Sequence, residues 1–356
     1  MTNKRLDIEL MRFFACFFVV FNHTQARGFF RFSTFESTRL LYDLGLCLSI
    51  FCKFAVPLFL AVSGALLLGR NESYRMVWQK RILKIFIILF VWSFLYHLYN
   101  NRFNEFDLVA LVKSFFQPFF ADDITFHLWY LYAFIGFLIS LPLLRKIARS
   151  LSRKDYVYLF SIYFLMHCIM PVAEYLSSIP VNSDVRIPWI GVDIFIFPLL
   201  GYFLSNLPND FWNRKRLAAL WAVNIVCIVI SAELTTYNAE LTGVLNEAVS
   251  QEFHETFVIT NCAAMFVTCQ YLVNHISIPK WLEKCIRSLG GASFGIYLIH
   301  PFIVGSSAYY IYWNMLLSLN LFPYIDTFIF CVTIFLISYI LTTIIKRIPV
   351  IRKLVS

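Results

Sequence analysis

Charge is scarce in this 356-residue chain. Asp, Glu, Lys and Arg together make up 14% of it, against about 25% in a soluble domain. That excludes an ordinary soluble fold and a charged disordered tail. Nine cysteines (positions 16, 47, 52, 168, 227, 262, 269, 285 and 331) lie mostly in apolar runs, none forms a CxxC pair, and the long polar loops carry none. A disulfide framework or a metal site is therefore not expected, and most of these cysteines read as small core residues. No small-residue cleavage site follows the first apolar run, and Arg12 lies inside it, so no removable signal peptide is expected. Internal repeats, low-complexity tracts and Pro/Gly linkers are also lacking, which leaves residues 1–356 as one helical domain.

What is present is apolar. Hydrophobic residues make up 60% of the chain and aromatic residues 19%, and the mean hydropathy is +0.70. These values predict an all-α integral membrane protein. Ten apolar segments can be marked, 8–27, 46–68, 78–99, 128–145, 156–173, 189–205, 216–233, 256–274, 291–311 and 324–345. Each is near the roughly 20 residues that span a bilayer, so about ten transmembrane helices are expected. The net charge of +9 could suggest nucleic acid, but its distribution argues for topology instead, and no nucleic-acid partner is expected. Alternate loops hold 22 of the 30 Lys and Arg residues, the intervening loops hold six, and Arg12 and Lys53 lie in apolar segments. The positive-inside rule then places both termini in the cytoplasm. The opposite loops are rich in acids, among them Glu36, Glu105, Asp107, Asp122, Asp123, Glu247 and Glu252.

The first segment, ELMRFFACFFVVFNHT, is almost wholly apolar yet contains Glu9, Arg12 and His23. On a helix Glu9 and Arg12 share a face. The 11-residue step from Arg12 to His23 turns about 1100° and rises about 16 Å, leaving the two roughly in register. Ionisable groups inside a membrane segment are expensive and mark functional sites, although a snorkelling Arg12 and an interfacial His23 would look the same.

The second segment, KFAVPLFLAVSGALLLG, should kink at Pro57 and pack closely through Ser63-Gly64-Ala65. Lys53 within it could simply snorkel. Lys80, Arg81 and Lys84 cluster at the cytoplasmic mouth of the third segment. Each alone reads as a topology anchor, and together they could hold a phosphorylated cytosolic ligand. His127, Trp129 and Tyr130 open the fourth segment at the outer interface, where an aromatic belt also accounts for the Trp and Tyr. The loops 174–189 and 235–255 are polar and extracytoplasmic and could cover an acceptor site, and His254, beside Glu252 and Glu255, could be an acid/base group but reads more simply as part of a solvated loop. In the ninth segment, GGASFGIYLIHPFIV, Pro301 should bend the helix near mid-membrane. His300 precedes it, close to Tyr297, and is either a site residue or a neutral imidazole bonded to a freed carbonyl.

Taken together these blocks resemble the membrane acyltransferase-3 family, especially its O-acetyltransferases of surface polysaccharide (the enterobacterial common-antigen type). Arg12 and His23 match the family's Arg, ten residues, His pattern, with Glu9 where the family usually has Asp. The stretches VPLFLAVSG, HLWYLYAFIG and SFGIYLIHP look like its other blocks in the same order, over nearly the whole chain. The resemblance implies transfer of an acetyl group from acetyl-CoA, with no permanently bound cofactor, to a glycan or lipid-linked saccharide at the bacterial inner membrane. It implies His23, Arg12 and Glu9 as the catalytic set, Lys80, Arg81 and Lys84 as acyl-CoA contacts, and Ser63, His127, Trp129, Tyr297 and His300 around the acceptor. A transporter or flippase of lipid-linked glycan, and a succinyl or longer-chain acyltransferase on the same scaffold, are the competing readings. Pro57 and Pro301 do not fall in evident repeats, which weighs against the transporter.

Overall fold

The computed structural model describes residues 5–35, 38–102, 108–121, 124–208, 210–243 and 253–355. The acids Glu36, Glu105, Asp107, Asp122, Asp123, Glu247 and Glu252 of the sequence analysis lie outside these. Every regular element among the described residues is helical, as backbone in hydrocarbon requires when it cannot bond to water. The helices are α1 (Leu6–Asn22), α2 (Arg39–Cys52), α3 (Ala55–Leu67), α4 (Tyr74–Asn100), α5 (Leu108–Ala121), α6 (Trp129–Ser150), α7 (Arg153–Ser177), α8 (Asp193–Ser205), α9 (Arg214–Thr242), α10 (Val258–His275), α11 (Lys280–Val304), α12 (Ser307–Ser318) and α13 (Ile325–Arg347).

Each of the ten apolar segments lies in this helical set, but fewer meet the length and apolarity of a simple span. Six helical stretches do: Arg39–Leu67, α4, α6, α7, α9 and α13, and a seventh if α11 and α12 count as one. The others fall short for local reasons. Helix α1 has 17 residues and α8 has 13, while α10 carries Asn261, Gln270 and Asn274.

Helix α1 is the centre. It packs against α2, α3, α10, α11 and α13, and Met11, Ala15, Cys16 and Val20 on it are fully buried. Close approach requires glycine at two contacts. A Cβ on Gly290 of α11 would lie 2.2 Å from the carbonyl oxygen of Glu9, and one on Gly64 of α3 would lie 2.0 Å from that of Pro198 on α8. All nine cysteines are free thiols, seven of them buried.

Several local expectations change. Arg39–Leu67 breaks at Lys53–Phe54, so Pro57 falls in the first turn of α3, where its missing N–H leaves the carbonyl of Lys53 unused by the helix. Helix α11 continues through Pro301, and its 80° bend falls at Gly305–Ser306. Residues 235–242 are the last turns of α9 rather than loop. His254 is fully buried instead of solvated, because its ring packs against Phe29 and Phe32. Helices α4 and α7 each contain a π turn, Val77–Ile82 and Phe164–Ile169. Such turns widen the helix by a residue and occur often at functional sites.

Candidate active site

Helix α1 presents one face to two cavities. Toward its amino-terminal end, Arg12 Nη1 lies 3.1 Å from Oε1 of Glu9, itself 1% exposed. The same Arg12 lines a cavity of about 570 Å³ with Lys80, Arg81, Lys84 and Lys346, walled by Ser63, Tyr130 and Tyr297. The π turn lets the adjacent Lys80 and Arg81 both face this space. Lys346, at the end of α13, donates from Nζ to the carbonyl of Gly291 at 2.6 Å. With Arg12 on Glu9 and Arg81 on Glu72, the positive charge of Lys80, Lys84 and Lys346 around one cavity suits an anionic ligand.

Arg81 is held more firmly than its neighbours. Its Nε donates to Oε2 of Glu72 at 2.8 Å, and Nη2 of Arg145 meets the same oxygen at 2.8 Å. Glu72 lies in the short connection between α3 and α4. Its hydrogen bond from Arg81, and then that from Arg145, hold the carboxyl down to about 2.

At the other end of α1 the helix closes on His23, whose backbone N–H donates to Val19 and Val20 at 3.2 Å. The His23 Nδ1 and His300 Nε2 atoms are 2.7 Å apart, with rings 3° from parallel. His300 Nδ1 is 3.2 Å from the carbonyl of Ile296. A carbonyl only accepts, so Nδ1 of His300 carries the proton and Nε2 its lone pair. His23 must then donate from Nδ1, which leaves its Nε2 free to accept. The chain from Ile296 to His23 thus fixes a tautomer suited to taking a proton. His127 packs 5.9 Å from His300, ring centre to ring centre, and neither of its ring nitrogens has a hydrogen-bond partner. Its carbonyl accepts from the Tyr297 hydroxyl at 2.6 Å.

His23 lines a second cavity of about 510 Å³, with Trp129, Lys53, Glu255, Asp193 and His167. Val19 and Val56 line both cavities, so the two meet across these side chains. Lys53 does not snorkel: its amine sits 2.9 Å from Glu255, with the side chain 16% exposed.

The structure therefore gathers Arg12, Ser63, Lys80, Arg81, Lys84 and Tyr297 on one side, and His23 and Trp129 on the other. His300 supports His23, and His127 lies behind it. Sequence reasoning missed Lys346, Tyr130, Asp193, His167 and Glu255 as lining groups. Asp193 and His167 carried a usable signal, as lone ionisable residues in apolar segments. Among the described residues, no group of three His, Cys, Asp or Glu could hold a metal ion.

The all-helical fold and its apolar spans define an integral membrane protein. The chain belongs to the acyltransferase-3 family, whose profile, described as an acyltransferase domain, matches residues 5–343. No curated protein and no solved structure matches the chain. It is a membrane acyltransferase.

Proposed function

We propose that the protein transfers an acetyl group from cytosolic acetyl-CoA to a hydroxyl of a cell-surface or lipid-linked glycan at the bacterial inner membrane, with both termini cytoplasmic. The observation that carries this reading is the pair of cavities meeting at Val19 and Val56, one cationic and one holding His23. The phosphates of CoA need cations on the donor side, and Arg12, Lys80, Lys84 and Lys346 offer them. The bias of 22 basic residues to six between the two sets of loops supports a cytoplasmic donor side.

On this reading the pantetheine arm carries the thioester up to the two valines, while the acceptor hydroxyl waits beside His23. His23 Nε2 takes the hydroxyl proton as the oxygen attacks the thioester carbon. The tetrahedral oxyanion collapses, the C–S bond breaks, and the His23 imidazolium returns the proton to the CoA thiolate. His300 keeps the His23 ring in place throughout.

Transfer of radiolabelled acetyl from acetyl-CoA to lipid-linked glycan, by the purified protein in vesicles, tests the reading. Glycan moved across the vesicle membrane without label would mean a flippase. Faster transfer from succinyl- or longer-chain CoA would change the donor. In the same assay Lys80→Ala should raise KM for acyl-CoA about tenfold, or ~1.4 kcal/mol, with kcat nearly unchanged, because a phosphate contact is lost alike from ground and transition states. An unchanged KM would return Lys80 to a topology anchor. Arg81→Ala is a poorer probe, since it also strips Glu72 of a partner.

A further inference from the structure

We propose that the second cavity is a subsite for an uncharged sugar unit of the acceptor, and that the Asp193 carboxylate lining it rejects uronic acids. This rests on the transferase reading and adds the identity of the group beside His23. The charged side chains lining the cavity are Lys53, Glu255 and Asp193. Lys53 and Glu255 are paired at 2.9 Å and cancel, so with neutral histidines the cavity holds one net negative charge. Asp193 supplies it. It stands in the first turn of α8 and is exposed to the cavity.

The neighbouring polar group points the same way. His167, on the π turn of α7, lines the same cavity, and its Nε2 has no hydrogen-bond partner. A Cβ on Gly191 would come within 2.3 Å of that ring, so glycine in the turn before α8 lets His167 and Asp193 share one wall. A carboxylate and an imidazole on one wall suit a ligand that brings hydroxyl groups. Trp129, Tyr163 and Phe29 also line the cavity, with Tyr163 stacked on the His167 ring at 5.1 Å, and an aromatic lining of this kind suits the C–H face of a pyranose. Pro171 and Thr256 also line a more open cavity of about 700 Å³ beyond, which leaves room for the rest of a saccharide chain. A sugar carboxylate at this wall would face Asp193 with no free cation among the lining residues, at a position where water screens poorly.

The probes are methyl β-glucoside and methyl β-glucuronide, which differ only in a hydroxymethyl or a carboxylate at C6. Binding to the full-length protein in nanodiscs is read by saturation-transfer NMR at pH 7, without acyl-CoA. The glucoside should bind at least about tenfold more tightly. Asp193→Asn should reduce that ratio severalfold, and Asp193→Glu, which keeps the charge, should preserve it. Equal binding of both glycosides, a ratio unmoved by Asp193→Asn in a folded protein, or binding of neither would overturn the proposal. The readout needs no acyl transfer. A protein that discriminates the glycosides but transfers nothing would sink the transferase reading alone, and one that acetylates glycan without discriminating would sink only the subsite.

Discussion

His23→Gln is expected to lower kcat by about 10²–10⁴-fold, the usual contribution of a positioned general base, while leaving acyl-CoA affinity nearly intact. Glutamine keeps polarity and much of the volume, and its amide can still donate to His300, but it cannot accept a proton at neutral pH. His300→Gln should cost less. It exchanges the imidazole acceptor that orients Nδ1 of His23 across 2.7 Å for a more flexible amide oxygen, yet leaves the base itself in place. Single-turnover acetylation by purified, folded variants separates the two. Near wild-type turnover by His23→Gln alongside a dead His300→Gln would move the chemistry to α11. Arg12→Lys is the companion substitution: a role of charge alone survives it, and bidentate recognition of a phosphate does not.

Glu72→Ala should be the most damaging change outside the two cavities. It leaves the Arg145 guanidinium, 6% exposed, without its carboxylate, and releases Arg81 at the same time. Breaking a buried pair typically costs about 3–5 kcal/mol. Glu72 lies in a connection that water reaches in part, so about 2 kcal/mol is the expected loss, read as a lower Tm of the detergent-solubilised protein. The pH dependence has a definite direction. The folded carboxyl titrates near 2, below its ordinary 4.5, so its contribution is complete above about pH 4.5 and fades as the pH falls toward 2. Wild type and Glu72→Ala should therefore differ most near neutrality and converge in acid. A constant difference down to pH 3 would show that the carboxylate charge is not what stabilises the site.

The helical membrane fold and the Arg12–His23 axis were legible because both depend on local periodicity. Eleven residues of helix put the two groups on one face whatever surrounds them. The cavities were not legible in the same way. Lys346 reaches Gly291 from another helix, and Asp193, His167 and Glu255 meet His23 only through tertiary packing. Lys53 read as a snorkelling cation because its partner is some two hundred residues away. His254 read as solvated because its neighbours in sequence are acidic, whereas its neighbours in space are Phe29 and Phe32. Proline marked breaks approximately. At Pro57 the helix had already broken at Lys53–Phe54, and beyond Pro301 it ran on to Gly305.

The Val19–Val56 partition makes the proposed reaction an exchange of two groups across one boundary. The hydroxyl proton is taken beside His23 on one side of these valines, and the CoA thiolate that receives it leaves on the other. The electron pair of the C–S bond stays on sulfur, so the acetyl group crosses outward as the equivalent of an acyl cation while one proton moves inward, and each turnover is electroneutral. A charge carried fully across is worth about 2.3 kcal/mol per 100 mV, and this exchange draws on none of it. In vesicles with the potential set by potassium and valinomycin, transfer should keep its rate as the donor side is made negative, whereas a step that moves net charge would respond.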